Sequence, residues 1–158
     1  MPVIIINPNS TASMTDAMVR TAREVAPGIA FEGWTSRDGP ASIQGPEDGA
    51  AATPPLLDLV GLANQQGAQG IIIGCFDDTA LVEAAALASC PVVGLGHAAF
   101  HYAALRNWRF SVVTTLPVSV PVIEQNIREM GLSGYMARVR ASGVPVLALE
   151  ENPDAAEA

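Results

Sequence analysis

A cysteine closes the most hydrophobic run in the chain. The segment Gly70-Ile71-Ile72-Ile73-Gly74-Cys75-Phe76-Asp77-Asp78-Thr79 places a thiol where an apolar strand gives way to a polar turn. Three isoleucines between glycines fit a strand buried on both faces, as in a parallel sheet. The acidic pair and Thr79 then open an alanine-rich helix, expected over Asp78–Ala88. A thiol at the C-terminal edge of a parallel strand lies on the rim where open α/β sheets bind ligands. A helix N-terminus after it favours thiolate over thiol. Asp77 and Asp78 oppose that, because nearby negative charge raises a cysteine pKa. At least one of them is therefore expected to turn away as a helix cap. The competing reading is a small core residue, since unpaired cysteine is among the most buried types.

Two more polar clusters fall at predicted strand ends: Asn7 with Asn9 and Ser10, and Thr114 with Thr115. Asn, Thr and free backbone N–H groups can donate hydrogen bonds to a carboxylate or an enolate oxygen, stabilising charge as it develops. The same residue types also serve as ordinary turn and cap residues. His97 follows another strand end, and His101 lies one helical turn further on. Histidine can act as a general acid or base near neutral pH. No third ligand for a metal accompanies the pair, so no metal site is expected. Cys90 precedes Pro91 at the start of a strand, which puts it at the opposite rim with a structural role.

Alternating runs must position these groups. Strands are predicted over Val3–Ile6, Ile29–Trp34, Ile71–Gly74, Val92–Leu95, Phe110–Thr114 and Tyr135–Arg140. Helices are predicted over Ser13–Val25, Asp48–Gln66, Asp78–Ala88, His97–Leu105 and Val118–Met130, the second interrupted by Pro54-Pro55 with a kink or a restart at Pro54. The segment Ser36–Glu47 reads as loop, and the acidic tail from Glu150 could begin a helix. Repeated β–α–β units predict an α/β fold, a parallel flavodoxin-like sheet with helices on both faces. The run Val3–Ser10 is echoed by Phe110–Pro117, which suggests two pseudo-symmetric lobes. The first spans residues 1–96 and carries Cys75; the second, 97–158, is incomplete.

Composition narrows the partners. The 158 residues carry a net charge of −8, with no lysine and no basic cluster. Nucleic acid, which needs clustered cations, is excluded. The first residues lack a basic n-region, and no apolar run reaches the length of a membrane span. Two cysteines are too few for a disulfide framework and read as reduced thiols in a cytoplasmic protein. No Gly-x-Gly-x-x-Gly follows the first strand, and no Gly-x-Ser-x-Gly elbow is present.

Several segments together resemble one family. Ile6-Asn7-Pro8-Asn9-Ser10 with Ser13-Met14-Thr15 looks like the opening of the hydantoin racemase and allantoin racemase group of the aspartate/glutamate racemase superfamily. Gly39–Gly45 resembles that group's second loop, with Gln44 where an acidic residue is usual. Gly74–Asp78 matches the segment of its first catalytic cysteine. Pro91–Gly96 matches the next strand, followed by His97 where the group often has Glu. Arg109–Leu116 and Val139–Glu150 continue the match in order.

The resemblance implies a two-base isomerase without a cofactor, acting on a hydantoin, allantoin or amino-acid-like small molecule. One cysteine, as thiolate, removes a proton next to a carbonyl, and a second, as thiol, returns one to the opposite face. Cys75 would be one of the pair. Asn9, Thr114, Thr115 and the backbone around Phe76 would hold substrate oxygens, and the match adds Ser42, Ile43 and Asp77 to the binding set. The group's second cysteine follows one more helix and strand beyond Leu147–Glu150, and this sequence stops at Ala158. His97 is the substitute best placed by position. Without a second acid the expectation is proton exchange with little inversion. An unpaired strand edge in the second lobe further suggests a homo-oligomer. A thiol-based decarboxylase, a cis–trans isomerase or a small-anion-binding module remains an alternative on the same architecture.

Overall fold

Apolar runs punctuated by Gly and Pro fold into alternating strands and helices. The computed structural model describes residues 1–152. Its strands are β1 (Val3–Asn7), β2 (Phe31–Thr35), β3 (Gly70–Ile73), β4 (Val92–Gly94), β5 (Phe110–Thr114) and β6 (Met136–Ala141). Its helices are α1 (Ala12–Val25), α2 (Pro46–Gln65), α3 (Leu81–Leu87), α4 (Leu95–Leu105), α5 (Val120–Glu129) and α6 (Val146–Glu151), with a 3-10 turn over Pro117–Ser119. The tail beyond Asn152, where the sequence suggested a helix from Glu150, lies outside the described residues. No helix among them is long and apolar enough to cross a membrane.

The first four strands form a parallel sheet in the order β2-β1-β3-β4, the flavodoxin-like order. Side chains alternate across it. Ile4 and Ile6 of β1 pair in register with Ile71 and Ile73 of β3. All four are buried against Leu56, Val60 and Ala63 of α2 and Ala84 of α3. Burying each such side chain contributes about 1.5–3 kcal/mol. The other face carries Ile5 and Asn7 toward α1, where Asn7 bonds Thr15. A close approach makes Gly33 necessary there, since a Cβ would lie 2.5 Å from Val19 Cγ2.

β5 and β6 form a separate parallel pair. Val112 and Val139 from the pair, Phe100 of α4, and Ile123 and Ile127 of α5 make a second core.

At α2 the structure moves the helix start from Asp48 to Pro46 and shows no restart at Pro54. The helix starts at Pro46 and runs through Pro54-Pro55 without ending there. Proline is well placed at the first helical position, where its missing N–H costs nothing. The carbonyls that Pro54 and Pro55 cannot serve belong to Ala50 and Ala51, both exposed to water. The buried stripe Ala52, Leu56, Val60 and Ala63 holds the helix to the sheet on either side of the prolines.

Candidate active site

Parallel strands bring the C-terminal ends of β1, β3 and β4 to one rim. The N–H of Gly74 donates to Ile6 O at 2.8 Å, so Cys75 emerges beside Asn7. Cys75 is half-buried at the margin of the first core. Thr79 Oγ1 donates to its sulfur at 3.4 Å. The backbone N–H groups of Asp77 and Thr79 face the same atom. The Thr79 hydroxyl on the sulfur, with these two N–H groups close by, suits a thiolate.

Burial outweighs them. The Cys75 thiol is pushed up to about 11, chiefly by loss of hydration and also by the Asp77 carboxylate, while Thr79 and the two N–H groups pull it down. The expectation that a helix N-terminus would favour the thiolate is therefore corrected. The reason is local. α3 begins only at Leu81, and Asp78 and Ala80 take left-handed backbone angles, with φ of 50° and 51°. The intervening residues form two tight turns instead of helix, Asp78 N–H to Cys75 O and Leu81 N–H to Asp78 O, each at 3.1 Å. The helix dipole is thus a full loop away from the sulfur, and it falls off within one turn.

Asp78 does turn away from the thiol, but not to cap its own helix. Ala80 holds that cap position without a side-chain bond. The Asp78 carboxylate lies against the N–H groups of Gly96 and His97, in the first turn of α4. Burial nonetheless pushes its carboxyl up to about 7, and neither oxygen makes a hydrogen bond of good geometry. Asp77 is raised by burial too, and a Ser119 hydroxyl lowers it.

The β1–α1 turn is built on amides. Asn7 is fully buried. Its Nδ2 donates to Asn9 Oδ1 at 2.9 Å, Thr11 O at 3.1 Å and Thr15 Oγ1 at 3.1 Å. Asn9 Oδ1 also accepts the Thr11 N–H at 2.9 Å, while its Nδ2 meets only a thioether, Met14 Sδ at 3.4 Å. That amide is a weakly engaged donor on the turn. The loop bearing Ser42 and Ile43 docks alongside through Ser10 N–H to Pro40 O and Thr11 Oγ1 to Ala41 O. Both residues are buried. Gln44 fixes the end of this loop: its N–H goes to Asp48 Oδ2 at 2.9 Å, and its Oε1 accepts the Val146 N–H at 3.0 Å.

The second core approaches the thiol loop through different residues. Asn126 of α5 donates to Asp77 O at 2.8 Å. Phe76, 41% exposed, meets Phe100 edge-on at 5.4 Å, and Phe100 stacks on Phe110. Thr114 and Thr115, half-buried at the end of β5, have their carbonyls taken by Ser142 and Gly143 N–H. A cavity of about 820 Å³ opens between α2, α3 and α5, walled by Ile43, Asp77, Thr79, His97, Asn126 and Met130 among others. It reaches the flank of the thiol loop, but Cys75, Asn9, Ser42, Thr114 and Thr115 do not line it.

His97 faces this cavity. Its Nδ1 is buried without a partner, and its ring lies 4.3 Å from that of His101. Burial and then His101 lower its pKa. Among the described residues no three His, Cys, Asp or Glu side chains cluster as metal ligands. Cys90 packs at the margin of the first core, just before β4. Sequence reasoning missed Ser119 and Asn126, and took Thr79 only as a helix opener. Asn126 sits beside the Ile123/Ile127 stripe, and a polar residue on that flank was the available signal.

Comparison with known proteins agrees in extent. Residues 3–158 match the family described as Asp/Glu/Hydantoin racemase. A hydantoin racemase of Rhizobium meliloti is 42% identical over 158 residues, covering 99% of this chain and 66% of that protein. The allantoin racemase of Klebsiella pneumoniae superposes with a TM-score of 0.90 at 35% identity, over 99% of this chain and 64% of the other. The allantoin racemase of Pseudomonas fluorescens gives 0.91 at 36% identity, over 99% and 66%. The chain spans just under two thirds of the length of these relatives.

Proposed function

The chain belongs to the Asp/Glu/Hydantoin racemase family, and from that premise we propose that it carries one proton-transferring half of a racemase that works through Cys75 without a cofactor. The observation that supports this most is the sulfur itself, on the rim of a parallel sheet and accepting a hydrogen bond from Thr79 Oγ1. In the proposed step the Cys75 thiolate takes the proton from a carbon next to a carbonyl. The C–H electron pair moves into the enolate, and a proton returned to the opposite face inverts the centre. Asn9 Nδ2, Thr114, Thr115 and the backbone at Phe76 are the donors we assign to the substrate oxygens, with Ser42, Ile43 and Asp77 lining the site. A hydantoin or allantoin is the substrate class that the relatives' names support.

With its pKa near 11, Cys75 rests as a thiol. In that form it is the proton donor of the pair; it becomes the base as pH rises, or where the Asp77 charge beside it is neutralised. A single enantiomer of allantoin or a 5-alkylhydantoin incubated in D2O tests the proposal. Loss of the C–H signal by proton NMR with the ring intact supports it; an intact signal, or ring opening, contradicts it.

The protonated resting thiol favours a second reading, a small-anion-binding module without proton transfer. That reading expects no exchange, and ligand binding that survives Cys75→Ala.

A further inference from the structure

The loop after Cys75 holds two non-glycine residues in left-handed backbone conformations, Asp78 and Ala80. Such angles are strained for residues with a Cβ and persist only where the surroundings over-determine them. The constraint on the second half of the loop is the Asp78 side chain, which is 7% exposed. It fills a space that two glycines leave open. A Cβ on Gly94 would overlap Asp78 Oδ1, and one on Gly96 would lie 2.8 Å from Asp78 Oδ2 and overlap the Phe76 carbonyl oxygen. Gly94 has φ −92° and ψ 156°, angles any residue can adopt. Its missing side chain is thus explained by what Asp78 occupies and not by backbone geometry.

We propose that Asp78 is a positioning residue for the thiol: its carboxylate, held in the space beside Gly94 and Gly96 at the start of α4, fixes the loop whose Asp77 and Thr79 N–H groups and Thr79 hydroxyl face Cys75 Sγ. The carboxylate is two residues or fewer from each of those donors, and it touches neither the sulfur nor the cavity through an exposed oxygen. Asn126, by holding Asp77 O, pins the first half of the same loop. Asp77 is the charged neighbour on the same loop, and His97 of α4, Glu83 of α3 and Glu129 of α5 line the same cavity as Asp78. The proposal deepens the reading of Cys75 as the reacting group and rests on it.

The test follows alkylation of Cys75 by iodoacetamide against pH in a Cys90→Ala background. Asp78→Ala frees the loop, so the alkylation midpoint should rise and the rate at pH 9 should fall about tenfold, as loss of one hydrogen bond to a charged group implies. Asp78→Asn keeps the shape and should stay near the parent profile. Gly94→Ala displaces the same carboxylate and should copy Asp78→Ala. The double variant Asp78→Ala/Gly94→Ala should match Asp78→Ala alone and fold better than Gly94→Ala. A profile for Asp78→Ala that overlays the parent, a midpoint that falls, or additive effects in the double variant would overturn the proposal. Should Asp78→Ala fail to fold, Gly94→Ala decides the matter alone: a raised midpoint supports the proposal and a parent-like one overturns it. Failure of the racemase reading would register separately, as absent deuterium exchange with the alkylation shift intact.

Discussion

Asn126 Nδ2 donates to the carbonyl oxygen of Asp77 at 2.8 Å, joining α5 of the second core to the loop that carries the thiol. The bond spans 49 residues of sequence. Replacing Asn126 by Leu leaves that partly buried carbonyl without its donor. Denaturant unfolding should show a loss of about 1–3 kcal/mol. Alkylation of Cys75 should change along with it, because Asp77 N–H belongs to the same loop. Unchanged stability and unchanged thiol reactivity together would contradict the role assigned to this bond.

Asn7 offers a sharper stability test. Its side chain is fully buried and organises the β1–α1 turn through Asn9, Thr11 and Thr15. Asn7→Ala strands several buried polar groups at once, so a loss of roughly 2–4 kcal/mol is expected. Asn9 loses its orientation with it. A loss below 1 kcal/mol, roughly that of an ordinary surface change, would show that water replaces the amide easily.

The strand Gly70–Ile73 and the rim position of Cys75 were legible because a triple isoleucine between glycines fits few structures other than a buried parallel strand. The echo between Val3–Ser10 and Phe110–Pro117 likewise corresponds to β1 and β5, which lie in separate sheets. The residues after Cys75 were not legible. Asp77-Asp78-Thr79 has the composition of a helix start, and the turn it makes instead places Asp78 in space left by Gly94 and Gly96, which lie well beyond it in sequence. The thiol's pKa was misjudged for the same reason. Sequence shows the neighbours that lower it, whereas the burial that raises it comes from packing. Gln44 read as a departure from the family pattern; the structure gives it a partner, the Val146 N–H, 102 residues on.

Asp78 should make stability depend on pH. A carboxyl raised from 3.8 to about 7 means that the folded protein holds a proton the unfolded chain has released. The resulting stability is full below about pH 4 and is lost as pH rises through about 7, a span worth a few kcal/mol. Asp77, also raised, acts in the same direction, and His97, lowered, opposes it below its ordinary 6.5. Comparing Asp78→Asn with the parent cancels both. Urea unfolding at pH 5 and pH 8 should show the variant losing less stability between the two. Equal losses would place the raised carboxyl elsewhere.

Thr79 is the nearest side-chain donor to the sulfur. Thr79→Val keeps the shape and removes the hydroxyl, so the alkylation midpoint of Cys75 should move higher still. A midpoint that stays in place or drops would mean that the hydroxyl does not stabilise the thiolate.

The central claim is that the Cys75 sulfur moves the proton. Its most direct test is deuterium uptake from D2O by one enantiomer of allantoin or a 5-alkylhydantoin, with the buffer-catalysed rate subtracted. Cys75→Ala should lower the rate by about 10²–10⁴-fold, the range set by loss of a general acid–base group, while Cys90→Ala should leave it unchanged. The wild-type rate should climb with pH toward the thiol's pKa near 11. Exchange by Cys75→Ala at the parent rate would contradict the account.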